Sequence, residues 1–385
     1  MAGVGRRRAA RGTGLATALV GVLLTVACGS GYSPSGPFRE LPRGAPPEVA
    51  PPTGSAPAPV PGDPSTPGSS DEQAGDPNVV ATELTVPTGL VVLPDGTAVV
   101  GERDSGRLLQ VFPDRSPARE LMTVPGIDTG GDGGLLGLAL SPTFPEDGLY
   151  YAYLSTATDN RVVRFPVGGT PNPVLTGIPR GEVRNGGGLL FGSDGTLYVG
   201  TGDTGDPALA ADPASLAGKV LAVDVFGQPV GADPVFSRGH SDVTALCSGG
   251  DERVFATDNL PTGPDEFDAL VAGGDQGPDG TGPVLTVPED EAGLAGCAVS
   301  GPYVFLGALT GRKVVTAELD GTGAPVGDPA DFLPDRYGRL RSVALDPTGA
   351  LWITTSNKDG AGTPEADDDR VLRVLPPSSA ADSPL

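Results

Sequence analysis

The sequence predicts an all-β protein, a six-bladed β-propeller preceded by a signal peptide and a disordered Pro-rich tether. Three observations carry this reading. One phrase of short strands recurs six times after residue 79, Asp/Gly-rich turn dipeptides punctuate the copies, and no apolar run of helical period and ordinary length interrupts them.

The chain's 385 residues include 60 Gly and 42 Pro, with aromatics at only 5%. Such totals combine a linker with a Gly-rich β domain. The net charge is −23 and the pI about 4.2. That balance excludes nucleic acid, whose phosphates need a basic face. It also excludes adhesion of the protein surface to anionic lipid.

Residues 1–27 read as a lipoprotein signal peptide. Arg6, Arg7, Arg8 and Arg11 form a basic start, and the apolar stretch Gly14 to Ala27 is too short to span a bilayer. It ends in Leu24-Thr25-Val26-Ala27-Cys28-Gly29, which resembles a lipobox; an ordinary cleavage site beside a chance Cys is the alternative. On the first reading the Cys28 thiol carries diacylglycerol and anchors the chain at the extracytoplasmic face of the membrane. Loss of the four leader arginines takes the charge from −23 to −27. Residues 28–78 are the lipidated Cys and a Pro/Gly/Ser-rich linker, with 13 Pro between 31 and 78. No core can form there, so the segment is a semi-stiff tether.

Residues 79–377 are the propeller. Copies of the phrase begin at Pro87, Gly133, Asn185, Val243, Ala295 and Leu340, 45 to 58 residues apart. Turns fall at Asp95-Gly96, Asp147-Gly148, Asp194-Gly195, Asp251-Glu252, Gly301-Pro302 and Thr348-Gly349. Units of this length, each one antiparallel sheet, describe propeller blades. Residues 378–385 read as a disordered tail.

Three cysteines are present. With Cys28 on lipid, Cys247 and Cys297 remain, each seven residues before a Val-Phe pair (Val254-Phe255, Val304-Phe305). They therefore occupy equivalent positions on successive repeats. Either a disulfide, which an export compartment permits, or two buried free thiols fits them.

Several phrases go beyond a generic propeller: Gly131-Asp132-Gly133-Gly134-Leu135-Leu136-Gly137, Thr201-Gly202-Asp203-Thr204-Gly205-Asp206-Pro207, Gly239-His240, and Gly338-Arg339-Leu340-Arg341-Ser342-Val343. Together they resemble the glucose/sorbosone dehydrogenase family, the soluble PQQ-dependent sugar dehydrogenases. The lipobox, the tether and Asp159-Asn160-Arg161-Val162 make the closest match the LppZ-type lipoproteins of actinobacteria. The resemblance implies PQQ and Ca²⁺ as cofactors. It also implies a His as the base that takes the sugar hydroxyl proton, in a phrase that here reads Arg184-Asn185-Gly186-Gly187-Gly188. Imidazole can accept a proton near neutrality; a guanidinium cannot. The only His is His240, which matches a structural Gly-His turn of the family.

PQQ is a tricarboxylate and needs cations. Arg339 and Arg341 match two family cofactor arginines, or pair with acids such as Asp335. Ser241 stands where the family has Arg, Thr310 near the place of a Lys, and Asp132 in place of a Gln. Asp203, the family's support for the catalytic His, remains without its partner. Asp203 and Asp206 hold Ca²⁺ or cap turns. The run Asp367-Asp368-Asp369 reads as a solvated loop, Asp275 as a turn residue, Trp352 as core, and Glu102-Arg103 as packing between blades.

The expectation is therefore a degenerate member of the family. It would be a monomer that binds a carbohydrate or envelope partner on the face lined by Asp132, Arg184, Asp203, Ser241, Arg339 and Arg341, with PQQ binding in doubt. The alternative is an active PQQ-dependent aldose oxidoreductase with Asp132 as a base whose pKa burial has raised. A calcium-dependent lactonase ranks last, since no Glu/Asn/Asp cage lies in register.

Overall fold

The computed structural model describes residues 75–250 and 252–377. The signal peptide, Cys28, the tether as far as residue 74 and the tail 378–385 lie outside the described residues.

Inner strands at Pro87–Val92, Leu135–Leu140, Leu189–Phe191, Val243–Ser248, Leu294–Ser300 and Leu340–Leu345 each open one sheet of a ring of six. Each falls in the copy of the repeat that predicts it. Local chemistry sets the first hairpins. In Asp95-Gly96-Thr97 the Asp95 carboxylate accepts from the Thr97 N–H at 2.9 Å, and Gly96 takes φ of 83°. Asp194-Gly195-Thr196 repeats the device at 2.9 Å. Such Asx turns reverse the chain within two residues. The second strands, such as Ala98–Glu102 and Leu351–Thr355, are buried throughout because neighbouring blades cover both faces. Trp352 is fully buried among them, as core.

The ring closes through a pairing that the repeat does not announce. Blade 6 takes its outermost strand, Val79–Ala81, from the start of the domain, with Val79 opposite Leu372. Tyr337 pins this segment: its hydroxyl donates to Asp76 at 2.8 Å and accepts from Asn78 at 3.0 Å. Blade 3 gains a fifth strand, Gly274–Asp275, parallel to Val235–Arg238 and lent by the blade 4 excursion. There Asp275 accepts from the Gly277 N–H and pairs with Arg238, the turn role expected of it.

Inner strands crowd the axis. A Cβ on Gly137 would overlap the Gly187 carbonyl oxygen, so only glycine lets blades 2 and 3 meet. Cys247 and Cys297 sit on the inner strands of blades 4 and 5 and form a disulfide, with Cα atoms 5.8 Å apart. Of the two alternatives, the bridge is the one adopted.

One expectation needs correction. Asp367-Asp368-Asp369 is not a solvated loop: Asp368 and Asp369 are buried. The Asp369 carboxylate accepts from the N–H groups of Val86 at 3.0 Å and Asn357 at 2.5 Å, tying the last blade to the first. Glu102 likewise is fully buried, but it serves its own blade, held bidentately by Arg107.

Candidate functional site at the axial mouth

Two sets of loops gather at one end of the ring: those entering each inner strand and those joining second to third strands. Backbone contacts tie the candidate residues together there. The Asp132 N–H donates to Glu182 O at 2.9 Å, Thr204 N–H to Arg184 O at 3.1 Å, and Asp203 N–H to Ser241 O at 2.7 Å. Gly202 is obligatory in this weave, since a Cβ would overlap the Arg184 carbonyl oxygen.

Arg184 and Asp203 define the blade 3 side. Arg184 Nε donates to Asp203 Oδ1 at 2.6 Å, and the carboxylate is 1% exposed. Gly205 N–H adds a 2.8 Å bond to the same oxygen, while Oδ2 has no partner. The sequence leaves Asp203 without its partner; in the structure the substituted residue has become that partner. A cation at this position neutralises a carboxylate that would otherwise be buried alone.

The blade 6 side carries the cations. Arg339 is held by Asp359 at 2.9 Å, and not by Asp335, which pairs with Arg312. Arg341 makes neither a hydrogen bond nor an ion pair with the described residues. Burial and the neighbouring charge of Arg103 lower its pKa to about 10, against the pull of Asp359 and Asp242. It stays protonated at neutral pH, a guanidinium with open donors. Arg103, expected only to pack between blades, also contributes charge here. Thr310 is exposed, one residue beyond Leu309, whose carbonyl lies 3.4 Å from Arg339 Nη1.

Asp132 is exposed, where the alternative reading needs a buried carboxylate. The carboxylate that is tuned is Asp242, immediately after Ser241. Its Oδ1 accepts from Gly186 N–H at 2.8 Å. Burial pushes its pKa up to about 7, with Asp258 and Asp132 adding repulsion and Arg341 opposing. The sequence motifs stop one residue short of it, at Ser241. A carboxylate so raised favours the folded state while protonated, and that stability is lost as pH rises from about 4 through 7. Asp242→Asn is therefore expected to raise stability at pH 8.5 by about 2 kcal/mol, allowing for partial exposure, and to change little at pH 4. Thermal unfolding at the two pH values checks this.

Asp203 and Asp206, read as holding Ca²⁺ or capping turns, both have protein partners. Asp206 caps the helix Pro207–Ala211 by accepting from Ala208 N–H at 3.1 Å, and Asp203 is engaged by Arg184.

A model of the family described as glucose/sorbosone dehydrogenase matches residues 84–280. The chain belongs to this family. It is similar to the PQQ-bound aldose sugar dehydrogenase of Streptomyces coelicolor, with 38% identity, TM-score 0.73, and coverage of 77% of this chain and 96% of that one. It is also similar to an oxidoreductase of Thermus thermophilus described as a glucose dehydrogenase, at 33% identity, TM-score 0.71, and coverage of 77% and 98%. Quinoprotein glucose dehydrogenase B of Acinetobacter calcoaceticus is 26% identical over 260 residues, 55% of this chain and 54% of that protein. The chain thus spans about half the length of that relative.

Within the glucose/sorbosone dehydrogenase family, PQQ is the cofactor in question. A tricarboxylate fits the open guanidinium of Arg341. The remaining donor set does not fit it: Arg339 and Arg184 are neutralised by Asp359 and Asp203. Ser241 and Thr310 bring no charge, and Asp132 and Asp242 oppose an anion.

Proposed function

We propose that this chain is a non-catalytic glucose/sorbosone dehydrogenase-type propeller whose axial mouth binds a polar carbohydrate or another envelope component. The Arg184–Asp203 ion pair carries the proposal. The position of the family base is filled by a permanent cation, and the acid that would orient a base is engaged in neutralising it. The open guanidinium of Arg341 beside two carboxylates suits a polyhydroxy ligand that both donates and accepts hydrogen bonds. On this reading the protein acts as a monomer anchored through Cys28 at the extracytoplasmic face of the membrane.

Calorimetric titration of the full chain with PQQ plus Ca²⁺, and separately with a panel of envelope sugars, tests the proposal. Expected are sugar binding that weakens at least tenfold in Arg341→Ala, and no tight PQQ binding. Tight PQQ binding without sugar binding overturns it.

A second reading is favoured by one observation, the raised pKa of Asp242 at the mouth. On that reading the chain is an aldose oxidoreductase whose base has moved from position 184 to Asp242. Aldose oxidation abolished by Asp242→Asn would select it.

A further inference from the structure

Behind the axial mouth, at the junction of blades 3 and 4, lies a side-chain cluster that the function above does not use. His240, Asp258 and Asp268 are all buried, with 0%, 2% and 0% exposure. His240 Nδ1 lies 3.2 Å from Asp258 Oδ2 and 3.8 Å from Asp268 Oδ2, and one ligand atom from each residue falls within 4.8 Å of the others. Neither oxygen of Asp268 has a hydrogen-bond partner, and the Nε2 of the neighbouring Gln276 is unpartnered as well.

Hydrogen bonding alone does not resolve this cluster. Asp258 is already oriented by N–H donors, from Ser241 at 3.0 Å and from Asp242 at 2.7 Å. His240 Nε2 lies 2.8 Å from Ser237 Oγ. With the proton on Nε2, the Nδ1 lone pair faces two carboxylates. With it on Nδ1, Asp258 is served and Asp268 has only the neighbouring Gln276 amide to turn to, whose Nε2 does not reach hydrogen-bond geometry. A buried ionised carboxylate without partner is among the costliest arrangements in a fold. Separations of 3.2 and 3.8 Å between donor atoms match those around a tetrahedral cation with bonds of about 2.1 Å.

We propose that His240 Nδ1, Asp258 and Asp268 hold a structural divalent cation of the zinc class. One imidazole nitrogen and two carboxylate oxygens form a borderline donor set that Zn²⁺ or Co²⁺ accepts readily. Ser237 fixes the His240 ring from behind, as the outer partners of ligating histidines do. The Gln276 amide, beside Asp268, is the candidate fourth donor. Access runs through the clefts flanking Gly277–Gly280, one lined by His240 and the other by Asp258, Glu266 and Gln276. Through Asp258 the ion would pin the Ser241-Asp242 backbone and so brace the axial mouth.

The test loads the full chain, freed of metal by chelator and dialysed, with Co²⁺ or Zn²⁺. Expected are one ion per chain by elemental analysis, a Co²⁺ visible spectrum of four-coordinate N/O type, and a Tm that rises with metal and falls back with chelator. Asp268→Asn should weaken binding roughly 100-fold or more while the metal-free variant melts no lower than the metal-free parent. This variant keeps the proposal testable should His240→Gln fail to fold. A Tm insensitive to Co²⁺, Zn²⁺ and chelator overturns the proposal and leaves a proton as the shared species. Binding of Ca²⁺ alone, or equal binding in Asp268→Asn, overturns it as well.

Discussion

Arg184→Met is expected to destabilise the propeller by about 3 kcal/mol, a large effect for a residue at the rim of a ligand site. The substitution removes the guanidinium from Asp203 and leaves a 1% exposed carboxylate with a single donor, Gly205 N–H, on one oxygen and none on the other. The methylene stem of Met retains the packing, so the loss reports charge. Asp203→Asn alone should cost less, because a neutral amide tolerates burial better than a lone carboxylate. The double variant should recover most of the loss, giving a coupling energy of about 2 kcal/mol in a double-mutant cycle by denaturant unfolding. An Arg184→Met cost below about 0.5 kcal/mol would show that the pair has no structural role. The same experiment bears on function, because a side chain that stabilises the fold in its charged form has been kept for something other than proton removal.

Reducing or deleting the disulfide is the second large effect. Cys247 and Cys297 are separated by 50 residues, and cross-linking a loop of that length restricts the unfolded chain by about 4 kcal/mol. The double Ala variant is expected to lose about that much, with a Tm lower by on the order of 10 °C. Both cysteines lie on inner strands, within the apolar cluster that blade 4 (Phe255, Phe267) and blade 5 (Leu294, Leu306) share, and the bridge joins the two blades covalently. The loss should therefore appear as opening between these blades. Hydrogen exchange of Val243–Ser248 and Leu294–Ser300 should speed up relative to the inner strand of blade 1. Uniform acceleration across all blades would contradict this local account.

The propeller was legible because its signals are local and repeated. Asp-Gly-Thr at 95 and 194 encodes a turn by itself, and the apolar second strands follow at constant distance. The Cys pair was legible for the same reason, as equivalent positions on neighbouring repeats. What remained hidden depends on contacts between distant segments. Val79–Ala81 is three residues long and has no period; only its partner Leu372, at the other end of the domain, makes it a strand. Asp369 reads as a solvated acid until the Val86 and Asn357 N–H groups converge on it.

The site was readable by position and less so by state. Arg184, Asp203, Ser241, Arg339 and Arg341 do converge on the axial mouth. Which cation pairs with which acid depends on loop geometry: Arg339 chose Asp359 over Asp335, and Arg184 took the acid expected to be alone. Asp242 and the His240–Asp258–Asp268 cluster owe their properties to burial, which single residues in a string do not reveal. The phrase Gly239-His240-Ser241-Asp242, followed by acids at 258, 265, 266 and 268, was the available signal.

Steady-state dye reduction by the full chain, supplied with excess PQQ, Ca²⁺ and aldoses, confronts the central claim most directly. Because Arg184 is locked onto Asp203, the rate is expected to equal that of the cofactor free in solution. Aldose-dependent turnover above that background, lost on changing Asp242 to Asn but kept on changing Arg184 to Met, would contradict it.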